Sequence, residues 1–147
     1  MTIKEEMDLS LKDAMRSGDV IRRDILRVVL TNIKLAEVEK GSPLDDIAVI
    51  SALQKEIKIH NESIQEAKKA NRPDLANQYQ QEMKILEVFL PDQMNASEIR
   101  DLVQSVINEV GATTPSDLGK VMKVVTSKTE GRASNSDISC IARELLS

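Results

Sequence analysis

A chain of 147 residues with a net charge of −4 has room for one domain of ordinary size or two small ones, and its acidity excludes generic whole-surface attraction to nucleic acid. Its single cysteine, Cys140, excludes an intrachain disulfide, and with one histidine, His60, there is no zinc site made from nitrogen and sulfur ligands alone. Tryptophan is absent and Tyr79 and Phe89 are the only aromatics, which argues against RNA recognition by stacking platforms and for a core of aliphatic side chains, as in packed helices.

The helix signals run in clear order. Thr2-x-x-Glu5 is a capping box, and Ser17-Gly18 stops the helix it opens. Asp19 caps a second helix running to Gly41, in which Leu26, Val29, Leu30 and Ile33 keep the helical period. Ser42-Pro43-x-Asp45 predicts a third helix with a serine cap, proline at the first helical position and acids in the first turn, continuing to Ala70. Asn71-Arg72-Pro73-Asp74 is a turn that opens a fourth helix, which must end before Pro91. Asn95-x-x-Glu98 opens a fifth, closed by Gly111; Thr114-Pro115-Ser116-Asp117 opens a sixth and Ser134-x-x-Asp137 a seventh. No segment of useful length keeps a strand period.

The expected fold is therefore all-α. A long-helix N-terminal domain covers residues 1–90, and a compact three-helix C-terminal domain covers 95–147. Charge does not separate them: residues 1–90 carry 14 basic and 16 acidic groups, residues 91–147 carry 6 and 8. No apolar run is long enough to span a bilayer and no signal-peptide core is visible. The expectation is a cytoplasmic protein with no membrane association.

Catalytic chemistry finds little support. Carboxylates scatter among lysines at helical spacing, as in the Lys58–Glu62 pair of a solvated face. Residues 18–24 hold a lone glycine without a lysine-serine pair, so they are not a phosphate loop. His60 lies mid-helix and reads as a surface or packing residue. Cys140 reads as a buried thiol in an apolar-periodic helix. No catalytic residue, cofactor or metal is expected.

One segment stands out against the acidic background. Residues 119–137, GKVMKVVTSKTEGRASNSD, place Lys120, Lys123, Lys128 and Arg132 against a single acid, Glu130, before the next helix begins. On a helix, Leu118, Val121, Met122 and Val125 share the core face, while Lys120 and Lys123 point away. Gly119, beside them, costs the helix up to about 1 kcal/mol relative to alanine, which suggests a close approach by another helix or by a sugar-phosphate backbone. Gly131 is expected as the left-handed cap, holding Arg132 at a helix-to-helix corner, near the N–H groups that open the next helix. The alternative is a helix-packing notch ringed by solvated lysines. A second basic stripe, Arg23, Arg27 and Lys34, is interrupted by Leu30 and reads as cover for the core, long stems lying on apolar surface.

Several segments in order resemble the GatB/YqeY family, the YqeY-like proteins: RDILR at 23–27, LQKEIKIHNES at 53–63, NRPDL at 71–75, EVFLPDQM at 87–94, EVGATTPSDLGKVMKVV at 109–125 and GRA at 131–133. The resemblance covers nearly the whole chain. It implies an all-helical fold in two domains, the second similar to the tail domain of the B subunit of glutamine-dependent aminoacyl-tRNA amidotransferases, which helps to hold tRNA while catalysis resides elsewhere. By this resemblance Gly119, Lys120, Lys123, Gly131 and Arg132 are candidate tRNA contacts, with Lys128 inside the same basic footprint. The chain departs from the family in having Ser134-Asn135 where an acid-glycine pair is common, and His60-Asn61 where arginine is common. The function so implied is an accessory tRNA-binding protein without a catalytic centre, with tRNA or amidotransferase subunits as partners. Two alternatives stay open. One is an interaction module docking another protein or a second copy through residues 20–40 and 43–70. The other is a component of a carbon–nitrogen ligase with glutamine as amido-N-donor.

Overall fold

The computed structural model describes residues 1–147, and the chain is all-α, with seven α-helices and no strand. It divides into two compact units, Met1–Leu90 and Pro91–Ser147.

The first unit holds α1 (Ile3–Ser17), α2 (Val20–Lys40), α3 (Asp46–Lys69) and α4 (Pro73–Glu87). α1 packs along α2, and α3 packs along α4. Thr2 Oγ1 accepts the Glu5 N–H at 3.2 Å and Glu5 Oε2 accepts the Thr2 N–H at 3.1 Å, completing the capping box. Gly18 turns the chain with φ +75° and Asp19 caps α2 by accepting the Arg22 N–H at 3.2 Å.

α3 starts three residues later than the serine-proline signal suggests. Asp45, not Ser42, is the cap, accepting the Ala48 N–H at 2.9 Å. The reason lies in α2: Glu37 Oε2 accepts the Leu44 N–H at 2.9 Å, which ties the segment back before it can coil. Glu37 is itself held by Lys4 at 2.7 Å. That bond, followed by the Leu44 N–H, holds the Glu37 carboxyl below the usual carboxylate range.

The core of this unit is aliphatic. Met7, Leu26, Ile33, Leu53 and Leu86 have no exposed surface. A smaller cluster of Ile64, Ala67 and Ala76, with Tyr79 against it, seals the far end of the α3–α4 pair. His60 is buried between these helices and is a packing residue. Its Nδ1 lies 3.0 Å from the Glu56 carbonyl oxygen, its Nε2 3.0 Å from Glu82 Oε2, and Tyr79 meets the ring edge-on at 6.0 Å.

The second unit holds α5 (Ala96–Val110), a single 3-10 turn (Pro115–Asp117), α6 (Leu118–Thr129) and α7 (Asn135–Leu146). Asn95 and Glu98 form a reciprocal capping box, Gly111 closes α5 with φ +69°, and Ser134 caps α7. Each helix packs on both others around Val103, Val106, Val121, Val125, Ile138 and Ala142, all fully buried. Cys140 does not join them. It is exposed, correcting the expectation of a buried thiol, because it sits about 200° around α7 from Ile138.

The His60 bridge yields a stability prediction. His60→Ala leaves the Glu82 carboxylate, whose side chain is only 17% exposed, without its partner. Urea unfolding should show a loss of about 2–3 kcal/mol. The loss should shrink markedly in a Glu82→Gln background, since the two positions are in contact. Additive costs would show that the pair is not coupled.

Candidate nucleic-acid interface

α6 is anchored at both ends before any of its surface is considered. Upstream, Asp117 Oδ2 accepts the N–H groups of Thr113 at 3.0 Å and Thr114 at 3.3 Å. These two bonds, more than the nearby Lys120 charge, hold the Asp117 carboxyl below the usual carboxylate range. Along the helix Val121 and Val125 are fully buried, with Leu118 and Met122 packed beside them. The 3.6-residue period then leaves Gly119, Lys120, Lys123, Ser127 and Lys128 exposed.

The six candidate residues separate into two environments. Gly119, Lys120 and Lys123 share an open face, and neither lysine side chain makes an ion pair or a hydrogen bond. A β-carbon built on Gly119 would meet no atom within 4 Å, and its φ is not left-handed. Neither α5 nor α7 comes within that distance, so a packing notch within the second unit does not describe this glycine. Ser127 lies on the same face about two turns after Lys120. Its spacing from Lys120 and Lys123 is the only signal in the sequence that places it there. Lys128 stands at the edge of the face, its Nζ 2.9 Å from Glu109 Oε2 on α5.

Gly131 and Arg132 belong to a different construction. The left-handed cap of α6 is Glu130, at φ +50°, and Gly131 follows at φ +80°, so the expected cap position shifts back by one residue. A side chain in that conformation costs about 1 kcal/mol. The corner is over-determined by its bonds. Arg132 N–H donates to the Thr129 carbonyl at 2.9 Å, and the Arg132 carbonyl accepts the Met94 N–H at 2.8 Å. Arg132 Nε donates to the Asp92 carbonyl at 2.9 Å, and Gln93 Nε2 donates to the carbonyls of Pro91 at 2.8 Å and Gly131 at 3.1 Å. Arg132 Nη2 lies 3.9 Å from Glu98 Oε2.

Arg132 therefore clasps residues 91–94 onto the α6–α7 corner while its side chain stays 45% exposed. Sequence reasoning missed this clasp. Its side-chain bonds span 38 and 40 residues, beyond the reach of any local spacing rule. No group of three or more His, Cys, Asp or Glu side chains converges to hold a metal ion, and no helix is long and apolar enough to cross a membrane.

A family model described as Yqey-like protein matches residues 4–146, and the chain belongs to that family. Among curated proteins it is similar to altered inheritance of mitochondria protein 41, mitochondrial, of Pyrenophora tritici-repentis, with 31% identity over 133 residues covering 89% of this chain and 73% of the relative. The protein of the same name in Vanderwaltozyma polyspora is 31% identical over 103 residues, covering 68% of this chain and 56% of the relative. That of Lachancea thermotolerans is 33% identical over 109 residues, covering 72% and 58%. Against these last two, the chain spans a little over half of the relative's length.

These names overturn the expectation of a cytoplasmic protein, because the relatives are named as mitochondrial. The physical reason is plain. Hydropathy reports only on segments that could cross a bilayer, and a lack of such segments carries no information about compartment.

The Asp117 turn gives a pH prediction. Its folded pKa is depressed, so its contribution to stability is fully present above the ordinary carboxylate pKa and is lost as pH falls through the lower folded value. Thermal melts of the chain should lose part of their acid sensitivity below pH 4 in the Asp117→Asn variant, relative to wild type. Identical acid limbs would show that the Thr113 and Thr114 bonds do not depend on the carboxylate charge.

Proposed function

We propose that this chain is a non-catalytic accessory protein that binds tRNA through the sugar-phosphate backbone, using the open face of α6. One observation carries the reading: Lys120 and Lys123 stand exposed and without ion pairs beside a glycine where an added β-carbon would meet nothing beyond its own helix backbone within 4 Å. Paired lysines would have to break a bond to meet a phosphate; these do not. A backbone can lie closer over glycine than over any other residue. The second unit contains no aromatic residue, so contact through phosphates rather than stacked bases is the mode its composition favours.

The choice of tRNA, and an association with glutamine-dependent amidotransferases, is supported by the resemblance of residues 109–133 to the amidotransferase tail domain. A mitochondrial setting is supported by the names of the fungal relatives. In this reading Lys120 and Lys123 are the principal phosphate contacts. Lys128 contributes after leaving Glu109, and Arg132 contributes only what remains of its guanidinium outside the clasp.

The test is fluorescence anisotropy of labelled bulk tRNA at several salt concentrations, with duplex DNA of equal length as control. Lys120→Ala/Lys123→Ala should reduce the slope of log K against log salt by about two, one for each lost phosphate contact. Glu109→Gln, which frees Lys128, should strengthen binding. A slope unchanged in the double variant would remove α6 from the account.

A further inference from the structure

The first unit carries a second surface that the α6 reading does not use. On α2, Ile21, Val28 and Leu35 recur at seven-residue spacing on the side away from the core, and Val38 lies beside Leu35 about 60° around the helix. Leu35 is 62% and Val38 73% exposed. Beyond the intervening row of Asp24, Thr31 and Val38, the flank at the same spacing is Val20, Arg27 and Lys34. Arg27 makes no ion pair, its Nη2 reaching only Met15 Sδ at 3.9 Å, and Lys34 makes none. At its N-terminal end the stripe opens into a cleft of about 330 Å³, walled on the α4 side by Asp74, Asn77, Gln78, Gln81 and Glu82, so the basic character of the face lies further along α2, at Arg27 and Lys34. A seam of heptad spacing with charge along one flank is the surface that a second helix packs against.

The charges decide which helix. Two antiparallel copies of α2 would lay the same flank against itself and oppose Arg27 and Lys34 to one another. Two parallel copies would bring Asp24, which lies within the seam about 40° from Val28 and accepts a 2.9 Å bond from Arg23 Nε, against its own image, burying two ion pairs. Antiparallel self-pairing opposes like charges and parallel self-pairing desolvates two Arg23–Asp24 ion pairs, so each carries a cost as apolar surface is buried.

We infer that this face of α2 docks an amphipathic helix of a different protein, with apolar residues at heptad spacing and acidic residues on the flank facing Arg27 and Lys34. The inference rests on the first unit alone, so it stands or falls separately from the tRNA reading.

The test uses the full chain and a labelled 21-residue peptide with leucine at each seam position and glutamate on both flanks. A second peptide carries lysine in place of each glutamate. By anisotropy, the glutamate peptide should bind saturably and at least tenfold more tightly than the lysine peptide. Leu35→Glu and Arg27→Glu/Lys34→Glu should each weaken it tenfold or more, while Lys120→Ala/Lys123→Ala leaves it unchanged. Circular dichroism melts confirm that each variant is folded. Equal binding of the two peptides, or no binding, would overturn the proposal. So would Leu35-dependent self-association by sedimentation, or Leu35-dependent binding to phosphatidylcholine–phosphatidylglycerol vesicles, seen without glutamate-peptide binding.

Discussion

Val121 and Val125 must leave water entirely, and the candidate interface follows from that requirement. Burying two valines four residues apart fixes the rotation of α6 about its axis. Once that rotation is set, Lys120 and Lys123 can only face outward, about 60° apart, with Gly119 and Ser127 beside them. The requirement is strict because the core has no aromatic side chain to absorb a shift. Every contact among Ile99, Val103, Val106, Ile138 and Ala142 is aliphatic and short-reaching. A rotated α6 would bury a lysine or open a void, and either outcome costs more than one exposed glycine.

The ends of α6 are held as firmly as its middle. Asp117 gathers two backbone N–H groups before the first turn, and the corner after the last turn is clasped by residues 91–94. That clasp explains how Glu130 is kept in a left-handed conformation that favours glycine. Strain of this kind persists where the surroundings over-determine the backbone, and here five hydrogen bonds donated by Gln93, Met94 and Arg132 do so. The basic residues of the segment therefore differ in kind. Two are free to meet an anion, one is shared with Glu109, and one is part of the scaffold that positions the others.

Much of the fold was legible because helix ends are written in local chemistry. The boxes at Thr2–Glu5 and Asn95–Glu98 need only residues three apart, and the structure contains both. The start of α3 is not legible locally, because Ser42-Pro43 satisfies the same rule as the true cap Asp45. The competing bond from Leu44 to Glu37 comes from another helix. Cys140 was misplaced because periodicity located the α7 core face only approximately. At the interface, the outward direction of Lys120 and Lys123 was legible from the 3.6-residue period. The pairing of Lys128 with Glu109 and the clasp at Arg132 were not, since each joins residues 19 or more apart. Gly119 was legible as an exception, but an unoccupied space above it is a property of the fold alone.

The central claim is that the face of α6 around Gly119 meets a phosphate backbone. The direct measurement is a titration of the full, 15N-labelled chain with unlabelled bulk tRNA, followed by amide chemical shifts at near-physiological salt. The account predicts that the largest changes fall on Gly119, Lys120, Lys123 and Ser127. The α2 amides near Val28 and Leu35 should stay where they are. Changes confined to α2, or a silent α6 at saturating tRNA, would contradict it.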